Sequence, residues 1–327
     1  NPRRAGRQCS TRLPLWRETS VVRALLLWMA SNPWLRERIP RLWFARKAVR
    51  RFMPGEKPED ALGAAAEFKK VGIASEFTRL GENVTRSDEA DAVAAHYLEM
   101  MDRVAAAGLD GEISVKPTQL GLDVDESRTQ AHVERLAARA AIDRATLWID
   151  MEGSAYTERT IALYERVKRS HHNVGVCVQA YLRRTMLDLE RLMPLSPAIR
   201  LVKGAYAEPA AIAYQGMAEV NASYLALAKA LLTARRADDR VRIGLGTHDV
   251  ELIEQIAQQA QALGLPKTAF EVQMLYGIRE DAQRRLAREG YPVRDLIGYG
   301  TAWYAWYMRR LAERPANVAF ALRQLFP

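Results

Sequence analysis

A closed (β/α)8 barrel is the fold this sequence predicts, and three observations predict it. From residue 68 onward, short apolar runs alternate with amphipathic helical stretches eight times in about 255 residues, close to the roughly 250 typical of such barrels. The apolar runs are near-continuous, which fits parallel strands buried on both faces. Polar residues collect at the carboxyl ends of those runs, where barrels of this kind carry their chemistry. A doubly wound sheet is the structural alternative. It would need Gly-x-Gly-x-x-Gly after the first strand, and Gly244-Leu245-Gly246 lies inside the sixth run without a third glycine.

The elements follow in order. Residues 1–67 read as a helical segment and 68–327 as the barrel. Ser20 caps a helix over 21–31, Pro33 and Pro40 punctuate two more, and the stretch 53–58, rich in Pro and Gly, is a linker to a helix over 61–70. Strands are expected over 71–78, 112–117, 146–151, 174–180, 199–203, 242–246, 270–274 and 293–297. The intervening helices are expected over 88–107, 126–143, 155–170, 184–192, 210–234, 250–263 and 280–289, with a last helix from Trp303 onward.

Composition narrows the class. The 327 residues are 49% hydrophobic and 27% charged, ordinary for a globular chain with a large core. Two cysteines, Cys9 and Cys177, make neither a disulfide framework nor a zinc site, and Cys177 reads as inert core. This usage suits a reducing compartment. The net charge of +9 is local: residues 1–60 carry 14 Lys/Arg against 5 Asp/Glu, and the rest carries 34 of each. That basic segment also holds Trp16, Trp28, Trp34, Trp43 and Phe44. It reads either as a surface for an anionic membrane or as a helical arm packed on its own domain. The neutral body has no basic stripe, which argues against nucleic acid. The apolar run 24–30 is too short to span a bilayer and has no convincing cleavage site.

The chemistry gathers around Ile199-Arg200-Leu201-Val202-Lys203-Gly204-Ala205-Tyr206. A strand interior does not carry two cations without partners. They pair with carboxylates on neighbouring strands, or they hold an anionic or electron-rich ligand. Other strand ends supply Gly81-Glu82, Lys116-Pro117-Thr118, Asp150-Met151-Glu152, Gln179-Ala180-Tyr181, Thr247-His248-Asp249 and Gln273. No Ser-His-Asp set emerges around Ser114 or Ser154, and no histidine pair at ligand spacing supports a metal. The donor-rich mouth suits a large planar or anionic cofactor. Arg309-Arg310 on the last helix face solvent or grip one carboxylate from two sides.

These residues resemble the proline dehydrogenase family, in its monofunctional bacterial form. The resemblance rests on Arg200-Leu201-Val202-Lys203-Gly204-Ala205-Tyr206, Gly246-Thr247-His248-Asp249, Gln273-Met274-Leu275-Tyr276-Gly277 and Trp303-Tyr304 leading to Met308-Arg309-Arg310-Leu311-Ala312-Glu313-Arg314-Pro315. It covers about residues 68–320, and the joint occurrence in order is far more specific than any fragment. It implies a distorted barrel that binds FAD, with the last helix over the mouth. It further implies oxidation of L-proline to Δ1-pyrroline-5-carboxylate, the first step of proline catabolism to glutamate, with electrons passed to a membrane quinone.

Residue by residue, the resemblance assigns Lys116, Arg309 and Arg310 to the substrate carboxylate and places Asp150 beside Lys116. Arg200 matches the arginine near flavin N5. Gln179, Val202, Lys203, Gly204, Ala205, Thr247, His248 and Gln273 match flavin contacts. Tyr206 and Leu275 line the substrate pocket, and Glu82 closes it by pairing with Arg309. One position departs: Leu296 stands where the family usually has tyrosine against the proline ring. That departure points to looser discrimination against 4-hydroxyproline or a related cyclic imino acid. The expected location is cytoplasmic, with peripheral contact at the inner membrane face through residues 1–53. The competing classes are a Schiff-base aldolase using Lys116 or Lys203, and a non-catalytic barrel that binds a partner through its basic arm.

Overall fold

The computed structural model describes residues 25–26, 28–30, 32–42, 45 and 49–313, without the side chains of Pro33, Arg36, Pro40, Arg309, Arg310 and Glu313. Expectations placed on Ser20, Trp16, Trp43, Phe44 and the segment after residue 313 lie outside the described residues. The chain divides into two compact units, 49–303 and a second that joins 1–48 to 304–327.

The unit spanning 49–303 is the barrel. Its strands are β1 (Ala74–Arg79), β2 (Gly111–Val115), β3 (Leu147–Ile149), β4 (Val174–Gln179), β5 (Ala198–Val202), β6 (Arg242–Gly246), β7 (Glu271–Leu275) and β8 (Val293–Tyr299). They close in sequence order, every pair parallel, with β1 against β8 from Ala74↔Arg294 to Arg79↔Tyr299.

The two-residue period of a strand separates two populations. Phe77, Ile113, Val115, Leu147, Ile149, Val176, Ile199, Leu201, Ile243, Leu245, Val272 and Ile297 are all buried in the main core cluster. They form the layer between sheet and helices, where a fully buried aliphatic side chain contributes about 1.5–3 kcal/mol. The alternate residues point into the barrel, as shown by bonds between strands that are not neighbours, such as Arg200 on β5 with Glu76 on β1. Two interior glycines make room there: a Cβ on Gly175 would meet the Trp148 ring at 2.5 Å, and one on Gly244 would meet Gln273 at 2.8 Å.

Helix α2 (Pro58–Lys69) starts at proline, carries Glu59 and Asp60 in its first turn, and buries Ala61, Ala65 and Phe68 in the barrel core. The outer helices are α3 (Ser87–Ala106), α4 (Glu126–Ile142), α5 (Thr157–Lys168), α6 (Thr185–Leu192), α7 (Met217–Ala237), α8 (Val250–Ala262) and α9 (Glu280–Arg288). Asp125 caps α4 and Asp249 caps α8, each by accepting a backbone N–H three residues on.

Two of the differences from the sequence expectation have a visible local cause. Helix α7 begins at Met217 rather than at 210, because the Glu219 side chain folds back to the Gly216 N–H and starts the helix there, leaving 203–216 as a loop. Strand β1 begins at Ala74, because the chain after α2 turns at Val71 and Gly72, which takes φ +73°.

The second unit contains α1 (Pro33–Arg38), capped by Asn32, which accepts from Leu35 N at 3.2 Å. Helix α10 (Trp303–Glu313) starts at the last barrel residue and continues in this unit. Among the described residues no helix is long and apolar enough to cross a membrane.

Candidate active site

The carboxyl ends of β2, β3 and β5 bring three of the expected residues into one charged cluster. Arg200 is 4% exposed in the barrel interior. Its Nη1 donates to Asp150 Oδ1 at 3.1 Å and to Ser114 Oγ at 3.2 Å, and its Nη2 donates to Glu76 Oε1. Its guanidinium lies 4.6 Å from the centre of the Trp148 ring. Ser114 Oγ donates to Asp150 Oδ1 at 2.7 Å, and Lys116 Nζ stands 3.6 Å from Asp150 Oδ2. Asp150 therefore links the two cations. Burial works against the charge on Arg200, but Glu76 and Asp150 outweigh it and hold the guanidinium proton more tightly than usual.

The remaining expected residues fall at neighbouring strand ends. Gln179, at the end of β4, donates to the Glu152 carbonyl oxygen at 3.2 Å. Glu152 itself accepts from Thr118 N at 3.0 Å and Thr118 Oγ1 at 2.6 Å, a clamp between the loops after β2 and β3. Gln273 on β7 donates to Glu271 Oε1 at 2.8 Å. Thr247 Oγ1 accepts from Asp249 N at 3.2 Å in the turn that contains His248. Leu275 and Leu296 are paired in register and face inward together, Leu296 half-buried. Lys203 pairs with Asp249 at 2.7 Å and so ties the β5 end to the cap of α8.

Gly204 takes φ +115°, and a Cβ there would lie 2.3 Å from the Tyr181 ring, so backbone conformation and Tyr181 both require glycine. A Cβ on Gly246 would lie 2.7 Å from Val202 and 3.5 Å from Arg200 Cγ. Ala205 and Tyr206 follow in the loop 203–216, and Glu82 follows β1; all three are half-buried. Arg309 and Arg310 lie in α10, but their side chains, and with them the expected pairing to Glu82, are outside the described residues.

Several polar atoms in the cluster remain open. Arg200 Nε, Gln179 Oε1 and Gln273 Oε1 are buried and have no hydrogen-bond partner among the described residues. Such groups are costly unless a ligand or water completes them. They belong to inward-facing side chains of β4, β5 and β7, where a polar cofactor with donors and acceptors of its own would satisfy them. The chemistry of this donor set fits a flavin, which offers carbonyl oxygens, ring nitrogens and an N–H.

Sequence reasoning missed Glu76 and Trp148 as parts of this arrangement, named Asp249 only among the strand-end residues without giving it a role, and treated Ser114 only as a failed nucleophile. Cys177, in register with Arg200, is inert as expected, because burial pushes its thiol up to about 12. A cavity of about 680 Å³ opens at the opposite, amino end of the barrel beside Glu112, Arg242 and Arg294. Its interior charges are already bonded to one another, so it offers a ligand little.

The family described as Proline dehydrogenase matches residues 61–323. Proline dehydrogenase 1 of Bacillus subtilis subsp. natto is 33% identical over 303 residues, covering 93% of this chain and 98% of the relative. Proline dehydrogenase of Deinococcus radiodurans is 33% identical over 310 residues, covering 93% and 97%. Among solved structures, proline utilization A of Bdellovibrio bacteriovorus inactivated by N-propargylglycine superposes with a TM-score of 0.77 at 22% identity, over 90% of this chain and 36% of that one. Proline utilization A of Bradyrhizobium japonicum gives 0.70 at 20% identity, over 86% and 32%. This chain thus spans about a third of those longer chains, and at that identity they bear on the fold alone. The two curated relatives match this chain almost end to end, and the family match runs from α2 through the whole barrel: the chain belongs to the proline dehydrogenase family of enzymes.

Proposed function

We propose that this enzyme oxidises L-proline to Δ1-pyrroline-5-carboxylate with FAD held at the carboxyl ends of the barrel strands, and that the electrons pass on to a quinone. The observation that carries this reading is the Lys116–Asp150–Arg200 cluster beside buried, uncompleted polar atoms on β4, β5 and β7. Gln179, Arg200, Val202, Lys203, Gly204, Ala205, Thr247, His248 and Gln273 would hold the cofactor. Bound FAD would supply a two-electron acceptor for the hydride that leaves the substrate carbon next to nitrogen.

The chain's own residues do the rest. Lys116, with Arg309 and Arg310, fixes the substrate carboxylate, and orientation of this kind supplies much of a rate enhancement. Asp150 holds Lys116 in place. A cationic, desolvated pocket disfavours the ammonium form of the substrate, which frees the nitrogen lone pair. Arg200 stabilises negative charge that develops on reduction. Leu275, Leu296 and Tyr206 enclose the ring, and Glu82 closes the site.

Lys116→Met tests the assignment. It should lower kcat/KM for proline by about 10²–10³-fold, the scale for losing one preorganised charged contact, while flavin absorbance per chain stays at the wild-type level. Full activity would sink the assigned role. Both Lys116 and Lys203 are engaged by carboxylates, an arrangement suited to holding anions and ill suited to offering the free amine an aldolase needs.

A second reading concerns the substrate. Leu296 faces inward beside Leu275 where the resemblance expects tyrosine, which leaves room for a ring hydroxyl. Leu296→Tyr should shift the ratio of specificity constants toward proline over 4-hydroxyproline by about tenfold. An unchanged ratio removes this reading.

We also propose peripheral contact of the basic segment with an anionic membrane on the cytoplasmic side. Leu25, Trp28, Trp34 and Leu42 are exposed in that unit, as basic interfacial segments require. Binding to anionic vesicles that weakens with salt would support this, and no binding at low salt would refute it.

A further inference from the structure

Arg200 has a carboxylate on each side, and only one of the two belongs to the cluster assigned above. Asp150 stands at the strand end and is shared with Lys116. Glu76 lies within β1, 1% exposed, with one oxygen bonded to Arg200 Nη2 and the other, Oε2, without a partner among the described residues. A buried carboxylate with one oxygen unsatisfied is costly, so packing alone does not account for it.

Its effect on Arg200 does. Glu76 and Asp150 together balance Arg200 and Lys116, and without Glu76 this cluster would carry net positive charge. Asp150, Ser114 and the Trp148 ring hold one side of the guanidinium, and among the described residues Glu76 alone holds Nη2. A cation near a flavin favours its reduced, more negative form, and a carboxylate behind that cation opposes the effect.

We propose that Glu76 is a positioning residue that aims the Arg200 guanidinium, offsets part of its charge, and so holds down the reduction potential of the bound flavin. This rests on the flavin reading of the site. Burial pushes the Glu76 carboxyl up to about 7, with Arg200 and Arg294 pulling it down and Glu112 and Asp150 pushing it up. The groups that face it are Glu112 on β2, Asp150 after β3, Cys177 on β4, Arg200 on β5 and Arg294 on β8. The offset is therefore complete above that value and fades below it.

The test is the midpoint potential of the flavin in purified holoenzyme at about pH 8.5. Glu76→Gln keeps the shape and removes the charge. It should favour the reduced flavin at least about tenfold, a positive shift of about 30 mV for a two-electron couple, and the shift should shrink at about pH 6. Glu76→Asp keeps the charge and should stay much closer to wild type. If Glu76→Gln is not recovered folded, Glu76→Leu takes its place with the same expected shift. Equal potentials in wild type and the uncharged variant, with flavin bound in both, overturn the proposal alone. A shift in Glu76→Asp as large as in Glu76→Gln overturns it as well. A wild-type protein that binds no flavin overturns both the proposal and the reading beneath it.

Discussion

Glu76 and Glu112 sit side by side, paired in register across β1 and β2 and both almost fully buried, yet their carboxyls move in opposite directions. Burial raises both. At Glu112, Arg294 and Arg242 overcome it and hold the carboxyl down to about 2; at Glu76, burial prevails over Arg200 and the carboxyl rises to about 7. The difference is the number of bonds. Glu112 accepts from Arg242 at 2.5 and 3.1 Å, from Thr146 N at 3.1 Å and from Trp148 Nε1 at 2.7 Å, with Arg294 at 3.4 Å. Among the described residues Glu76 accepts from Arg200 alone, and one oxygen stays open. At the amino end, charges saturate one another and tie the strands into a floor. Toward the mouth, charges are left incomplete, the condition for binding something else.

This contrast can be broken by mutation. Glu112→Gln should have the largest effect, a loss of about 3–5 kcal/mol of stability in denaturant unfolding, because Arg242 and Arg294 would lose their shared buried counter-charge. Glu76→Gln should cost far less, at most about 1–2 kcal/mol, since burial already opposes the Glu76 charge and Arg200 keeps Asp150. Equal losses at the two sites would erase the distinction between floor and mouth.

Asp295 gives the smallest effect and the clearest pH signature. It lies on the outward face of β8, fully buried, and burial raises its carboxyl well above 3.8, offset only in part by the Gln283 side chain. Above the unfolded value of 3.8 the unfolded chain releases a proton that the folded chain retains, so stability falls as pH rises through that window. Asp295→Asn does not titrate. It should gain on wild type as pH rises from about 4 to about 8, on the order of 1 kcal/mol at the upper end, read from thermal unfolding at each pH. A constant difference across that range would contradict a carboxyl raised by burial.

The barrel was legible because its outward faces are nearly unbroken aliphatic runs, as at Val174–Gln179 and Arg242–Gly246, and such runs are what a doubly covered parallel strand needs. Arg200 was legible as a cation that needed a partner. Its partner was not: in Ser75-Glu76-Phe77-Thr78 the glutamate sits among polar neighbours and reads as one polar residue of an ordinary strand. A usable signal existed. Arg200, Arg242 and Arg294 occupy inward positions, and three interior cations demand interior acids. The start of α7 was misread because Ala210, Ala211 and Ala213 have helical propensity, whereas the Glu219 return to Gly216 fixes the actual start. The charged floor escaped notice because each of its residues is unremarkable in its own strand, and only closure brings them together.

The central claim is that the incomplete mouth holds a flavin that proline reduces. Anaerobic titration of the purified protein with L-proline, followed by flavin absorbance, tests it most directly. The account predicts about one flavin per chain and loss of its oxidised absorption band on adding proline. A protein that carries no flavin, or a bound flavin that proline leaves oxidised, would contradict it.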